Sequence, residues 1–82
     1  MTSKILIIGA CGQIGSELTQ KLRENYGSEH IIASDIREGD KALMSSGPFE
    51  ILDATDESAL EDVIMHYEIG EVYLMAAMLS AT

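Results

Sequence analysis

Hydrophobic residues along the chain follow two different repeats, which predict strands and helices in alternation. The aliphatic run over residues 4–8 ends at Gly9 and is typical of a strand buried on both faces of a parallel sheet. From Gln13 the repeat becomes helical, and Gly27 marks the expected stop. The apolar positions of this amphipathic helix are Ile14, Leu18, Leu22 and Tyr26. A second apolar run, residues 31–34, closes on Asp35, so the three elements have the length of a right-handed βαβ unit.

The second half of the chain predicts three further elements after a loop. Residues 36–48 carry charges, glycines and a Ser-Ser-Gly-Pro cluster, and we interpret them as loop. A brief strand is expected over residues 49–52, and Thr55 or Asp56 is expected to cap a helix that stops at Gly70. The inward positions of this helix are Leu60, Val63, Ile64 and Tyr67. A last strand is expected over residues 71–76.

The predicted order β-α-β-β-α-β gives an α/β fold class, the first half of a Rossmann doubly wound parallel sheet. No linker or internal repeat divides the chain. We therefore expect residues 1–82 to form one unit, the N-terminal part of a nucleotide-binding domain.

A glycine-rich loop joins the first predicted strand to the first helix and reads Gly9-Ala10-Cys11-Gly12-Gln13-Ile14-Gly15. In this position Gly9 would allow a tight turn, Gly12 would let the backbone approach a phosphate, and Gly15 would permit close packing of helix on strand. The helix N-terminus, beginning at Gln13 and Ile14, would face the pyrophosphate of a dinucleotide. The alternative is a plain strand-to-helix turn built of small residues.

Asp35 ends the second predicted strand twenty residues after Gly15. There a carboxylate can accept both ribose hydroxyls of an adenosine and would repel a 2′-phosphate, which favours NAD over NADP. Arg37 leaves three possibilities open: stacking on adenine, contact with a phosphate, or a solvated loop position.

Charge and composition exclude several classes of function. The net charge of −9 provides no basic patch for a nucleic acid or an anionic membrane, and no apolar stretch is long enough to span a bilayer. The Gly-Lys-Ser/Thr ending of a P-loop is absent from the sequence. Cys11 is expected to be a small filler residue, and its spacing from His30 and His66 predicts no metal site. Without a signal peptide, we expect a cytoplasmic protein.

The glycine loop, the Ser34-Asp35-Ile36-Arg37 segment and the stretch 52–56, Leu-Asp-Ala-Thr-Asp, resemble the extended short-chain dehydrogenase/reductase family, which includes NAD-dependent epimerases and dehydratases. Within that family, residues 72–82 look most like the epimerase-like L-threonine 3-dehydrogenases. Sugar-nucleotide epimerases more often carry His at the position of Leu74.

The resemblance implies roles for further residues. Asp53 would bind the adenine amino group, Ala54 would meet the adenine ring through its backbone, and Met75, Ala76 and Ala77 would line the nicotinamide ribose. Ser80 would reach toward an amino acid substrate. The alternatives are that Asp53 caps the next helix, that Met75 and Ala76 are sheet core, and that Ser80 is an ordinary loop serine.

The resemblance also implies an NAD-dependent oxidoreductase that converts L-threonine to 2-amino-3-oxobutanoate and is a homo-oligomer in its full-length form. The family's catalytic Tyr-x-x-x-Lys pair is absent from this chain, because Tyr26, Tyr67 and Tyr73 are followed at that distance by His30, Glu71 and Ala77. We therefore expect no catalytic residue here. Two alternatives stay open: a sugar-nucleotide epimerase or dehydratase, and a non-catalytic NAD-binding module.

Overall fold

The structure is a computed structural model and describes residues 3–75, in which four parallel strands form one sheet. The strands are β1 (Lys4–Ile8), β2 (Ile31–Asp35), β3 (Phe49–Ile51) and β4 (Ile69–Leu74). Their order in the sheet is β3-β2-β1-β4. This order places the first strand in the interior of the sheet, with β2 on one side and β4 on the other. The α/β fold class and the first half of a doubly wound sheet are confirmed.

In the described part of the chain, three α-helices connect the strands: α1 (Gln13–Tyr26), α2 (Lys41–Ser45) and α3 (Glu57–Tyr67), with a short 3₁₀ turn at Ser28–His30. Leu18 and Leu22 of α1 pack on one face of the sheet, in the cluster that contains Ile7. Val63 and Ile64 of α3 pack on the opposite face. The sheet is therefore covered on both faces, as the near-continuous aliphatic runs of β1 and β2 require. Of the helices described, none combines the length and the apolar character of a membrane span.

The segment interpreted as loop, residues 36–48, contains the helix α2, so that prediction was wrong in part. Asp40 begins this helix, and its carboxylate accepts a hydrogen bond of 2.9 Å from the Leu43 amide. Leu43 is 1% exposed and belongs to the same cluster as Ile7. One capping residue and one buried side chain hold this short helix, which is too brief to produce a helical repeat in the sequence.

The buried face of α1 is rotated from the predicted one. Ile14 and Tyr26 are 55% and 53% exposed, whereas Gly15, Thr19 and Arg23 are the residues buried against the sheet. The Thr19 hydroxyl is satisfied by the Gly15 carbonyl at 2.7 Å. Small residues at the closest contact bring α1 near the sheet, so the stripe of larger apolar residues lies beside that contact.

The ends of α3 also differ from the prediction. Asp56 caps the helix by accepting from the Ala59 amide at 3.2 Å, which decides between Thr55 and Asp56. The helix ends at Tyr67 because Glu68 takes the left-handed conformation, with φ of 56°. Gly70, expected to be the stop, lies inside β4 instead.

The boundaries of the last two strands are shifted accordingly. β4 begins at Ile69, two residues earlier than predicted, and its Gly70 approaches Ser3 so closely that a Cβ on Gly70 would lie 2.4 Å from the Ser3 Cβ. β3 ends at Ile51, and Leu52, which we expected within it, follows the strand and is 3% exposed.

The half-buried end of α3 is attached to β3 by the Tyr67 hydroxyl, which donates a short hydrogen bond to the Glu50 carboxylate. This bond raises the pKa of Tyr67 to about 12, with burial and the Glu50 charge acting in the same direction. Lys4 adds a cation over the Tyr67 ring, 6.0 Å from its centroid. The ring thus joins β1, β3 and α3.

This hydrogen bond predicts a specific loss of stability at alkaline pH. Because the pKa of Tyr67 is higher in the folded than in the unfolded protein, its contribution is complete below pH 10 and is lost as the pH rises through about 12. We expect the free energy of unfolding to fall over that interval and to fall less in Tyr67→Phe. Urea unfolding at stepped pH measures this. Tyr26→Phe, which removes an exposed hydroxyl, should behave as the unsubstituted protein; equal slopes in all three would contradict the assignment.

Candidate cofactor site

The glycine loop lies at the carboxyl edge of the sheet, directly after β1. Gly9 has a φ of 88°, a conformation that L side chains rarely adopt. The amides of Gly9 and Ala10 both donate to the Ser34 carbonyl at 2.9 Å, so the loop turns over the end of β2. The predicted tight turn at Gly9 is therefore present.

The helix α1 approaches the end of β1 through Gly15. A Cβ on Gly15 would lie 2.3 Å from the Gly9 carbonyl oxygen and 3.1 Å from the Cα of Ala10. Both atoms belong to the backbone and cannot turn aside as a flexible side chain would. The structure thus has the close helix-on-strand packing that was expected at Gly15.

The N-terminus of α1 has the positive end of the helix dipole and no carboxylate in its first turn that would repel an anion. Gly12 is its N-cap residue and has no side chain to satisfy the first amides, and the first turn contains no acidic residue. Gln13 and Ile14, which begin the helix, are exposed. By contrast, Asp40 and Asp56 cap α2 and α3 with their carboxylates. The helix dipole and free amides at Gln13 and Ile14 have the chemistry that binds phosphate.

Asp35 lies against this loop at the end of β2. Its carboxylate accepts from the Cys11 amide at 2.9 Å and from the Ile36 amide at 2.7 Å. Its carbonyl accepts from the Leu52 amide at 2.7 Å. Main-chain amides therefore hold the Asp35 carboxylate beside the glycine loop, and the Asp35 side chain is half-buried. Arg37, two residues later, is exposed.

Cys11 shares this corner of the site, in surroundings that disfavour its thiolate form. Burial raises the pKa of its thiol, and the neighbouring Asp35 carboxylate raises it further. The thiol lies 3.5 Å from the Arg37 carbonyl, to which it donates. Because a thiolate is the reactive form, this environment supports the interpretation of Cys11 as a filler residue.

Asp53 and Ala54 follow β3 at the same edge. The Asp53 carboxylate is exposed and accepts from the Thr55 amide at 2.9 Å and the Thr55 hydroxyl at 2.7 Å, bonds that lower its pKa. Asp56, and not Asp53, caps α3, so the capping alternative for Asp53 was wrong. Ala54 is half-buried against the core on the α3 face.

Met75 follows β4 and is 6% exposed, packed in the cluster on the α1 face of the sheet. The other positions expected near the nicotinamide and the substrate, Ala76, Ala77 and Ser80, lie outside the described residues. The structure thus brings the glycine loop, Asp35, Asp53 and Met75 to the ends of four adjacent strands. Within residues 3–75, no three His, Cys, Asp or Glu side chains group closely enough to hold a metal ion.

Sequence reasoning missed one buried polar residue, Arg23, which lies at the opposite edge of the sheet, where β2 begins. Arg23 is not among the predicted apolar positions of α1, yet it is 4% exposed. No signal in the hydrophobic repeat marks it, since a buried arginine interrupts the apolar pattern just as a surface arginine would.

Residues 5–82 match the family model described as the NAD dependent epimerase/dehydratase family. The chain belongs to this family. A curated relative, an uncharacterized epimerase/dehydratase of Staphylococcus epidermidis, is 48% identical over 80 residues, which are 96% of this chain and 25% of the relative. The chain therefore spans about a quarter of the length of the curated relatives it matches.

Two solved structures have folds similar to that of this chain. L-threonine dehydrogenase from Clostridium difficile superposes with a TM-score of 0.83 at 45% identity, over 88% of this chain and 23% of that one. UDP-glucose 4-epimerase from Thermotoga maritima superposes with a TM-score of 0.71 at 26% identity, over 87% of this chain and 23% of that one. The fold of this chain is thus similar to that of the matched portion of each.

The contacts of the loop predict different effects for two glycine substitutions. Gly15→Ala would force a methyl group into the Gly9 carbonyl, so we expect a loss of roughly 1–3 kcal/mol in the free energy of unfolding, as for overpacked sites. Gly12→Ala should leave stability nearly unchanged, because Gly12 has ordinary extended dihedral angles of −69° and 165°. Denaturant unfolding measures both effects. Equal destabilisation by the two substitutions would contradict the role assigned to the Gly15 contact.

Proposed function

We propose that this edge of the sheet binds NAD, with the pyrophosphate against the glycine loop. Gly9 and Gly15 hold the loop and helix together, Gly12 lets the backbone approach, and the amides at Gln13 and Ile14 donate to the phosphate oxygens. An uncapped helix N-terminus, free of acidic residues in its first turn, supports this placement.

The adenosine half would lie over the ends of β2 and β3. Asp35, held by the Cys11 and Ile36 amides, would accept the ribose hydroxyls and repel a 2′-phosphate, which favours NAD over NADP. Arg37 would stack on the adenine from its exposed loop position. Asp53 would accept from the adenine amino group, and Ala54 would contact the ring through its backbone.

The nicotinamide half would lie after β4. Met75, Ala76 and Ala77 would line the nicotinamide ribose, and Ser80 would contact the substrate. When bound, NAD would supply the hydride acceptor of an oxidation; the residues of this chain bind and orient it. Catalytic acid–base groups and most of the substrate pocket would come from the rest of a chain about four times as long.

For the complete protein we propose NAD-dependent L-threonine 3-dehydrogenase activity: oxidation of the β-hydroxyl of L-threonine to give 2-amino-3-oxobutanoate and NADH. The observation that carries this choice is the 45% identity and TM-score of 0.83 with the Clostridium difficile L-threonine dehydrogenase, against 26% identity with the Thermotoga maritima epimerase. We further propose a cytoplasmic homo-oligomer that takes a small-molecule substrate, with no nucleic acid or membrane as partner.

A second candidate is a sugar-nucleotide epimerase or dehydratase. The description of the family favours it, as does the superposition on the UDP-glucose 4-epimerase. Against it stands Leu74, where sugar-nucleotide epimerases more often carry His. A non-catalytic NAD-binding module is the third reading.

The activity can be decided with the protein expressed from its complete reading frame. We expect NADH, followed by its absorbance, to form with NAD and L-threonine but not with NAD and a UDP-hexose. Turnover of the UDP-hexose alone, measured by chromatography of the sugar products, would favour the epimerase. If NAD binds in calorimetry but neither substrate reacts, the non-catalytic module becomes the better proposal.

The role of Asp35 predicts a change in cofactor preference. Asp35→Ala should weaken the binding of NAD by roughly tenfold, because it removes a charged acceptor for the ribose hydroxyls. It should also reduce the preference for NAD over NADP. Dissociation constants for both cofactors measure this. Glu38→Ala removes an exposed carboxylate three residues away and is the matched control. An unchanged NAD/NADP ratio in Asp35→Ala would contradict the assignment.

A further inference from the structure

Arg23 is a buried cation that is held by neutral acceptors. Its guanidinium donates to the Ile31 carbonyl at 3.1 and 3.3 Å, to the Leu43 carbonyl at 3.0 Å, to the Ser46 hydroxyl at 2.8 Å, and to the Pro48 carbonyl. Desolvation lowers the pKa of this guanidinium. Because a buried charge is costly unless hydrogen-bonded, the arrangement is a specific one and not a solvated side chain folded back on the surface.

The acceptors lie at the start of β2 and in the second half of the connection from β2 to β3. Ile31 opens β2, whereas Leu43 lies in α2 and Pro48 directly precedes β3. One guanidinium therefore joins α1 to the first residue of β2 and to the part of the connection that leads into β3. The chain between Ile31 and Leu43 contains Asp35 and Arg37, the two residues placed at the adenosine half of the cofactor.

One hydrophobic cluster extends from α2 to the glycine loop. Leu43 belongs to the buried cluster that includes Ala10 and against which Cys11 packs. The Cys11 amide in turn donates to the Asp35 carboxylate. A shift of α2 away from α1 would therefore disturb both the loop and the acid, although Arg23 touches neither.

We propose that Arg23 is a positioning residue for the cofactor site, which holds the β2–β3 connection by its main-chain carbonyls and so keeps Asp35 and Arg37 in place for the adenosine half of NAD. This inference rests on the proposed NAD-binding function. It assigns to Arg23 an effect on affinity for adenosine-containing ligands, and not only on stability.

Two substitutions test this independently. Arg23→Met keeps the length of the side chain and removes its donors. Gly47→Ala keeps Arg23 but places a methyl group 2.6 Å from its Nε, and Gly47 has no positive φ to strain an alanine. Lys21→Met removes an exposed cation from the same helix and is the matched control.

The measurement is titration calorimetry of the complete protein with NAD and with AMP, which carries the adenosine half alone. We expect both dissociation constants to rise roughly tenfold in Arg23→Met and Gly47→Ala, about the effect of losing one hydrogen bond to the adenosine half, while binding stoichiometry is unchanged. Lys21→Met should leave both constants as they are.

A purely structural role for Arg23 would give a different result. The fraction of folded protein, and with it the stoichiometry, would fall while the dissociation constants stayed the same; that outcome overturns the inference, as do unchanged constants in both variants. If Arg23→Met does not fold, Gly47→Ala decides alone. If the unsubstituted protein binds neither NAD nor AMP, the proposed function itself fails, and this inference with it.

Discussion

The contact between Gly15 and the Gly9 carbonyl sets how closely α1 can lie on the end of β1. At this distance there is no room for a side chain, so the helix sits low on the sheet and presents Gly15, Thr19 and Arg23 to it. Ile14, which would otherwise fill the contact, faces outward. The rotation of α1 and the exposure of its first turn are thus consequences of one missing Cβ.

Burial of Arg23 follows from the same geometry, because it lies two turns of helix further along the stripe that Gly15 begins. A guanidinium in that position needs acceptors, and the start of β2 and the connection between β2 and β3 provide them, mainly as main-chain carbonyls. The glycine loop and the excursion after Asp35 are therefore not separate pieces of the site. Both contact α1, and this helix joins them.

The strands and the glycine loop could be predicted because the sequence patterns that indicate them are local. Aliphatic runs ending at Gly9 and Asp35 need no knowledge of the rest of the chain, and the glycine spacing has a steric cause. The helix α2 could not be predicted, since its one buried residue, Leu43, produces no hydrophobic repeat in the sequence. Gly70 led to a wrong prediction, because a glycine after a helix usually marks its end. Here Glu68 takes the left-handed conformation that ends the helix, and Gly70 allows a close approach to Ser3. Arg23 required the tertiary structure, because its burial is decided by partners eight to twenty-five residues away.

The way in which Arg23 holds its neighbours bears on how freely this region can vary between related sequences. Ile31, Leu43 and Pro48 contribute carbonyl groups, which every amino acid possesses, and Ser46 adds its hydroxyl, so the guanidinium recognises mainly the path of the backbone. Exposed positions such as Glu38, Lys41 and Met44 can therefore exchange without loosening the attachment. Insertions or deletions would move the carbonyls themselves. The segment should thus diverge readily in composition while its length is held fixed.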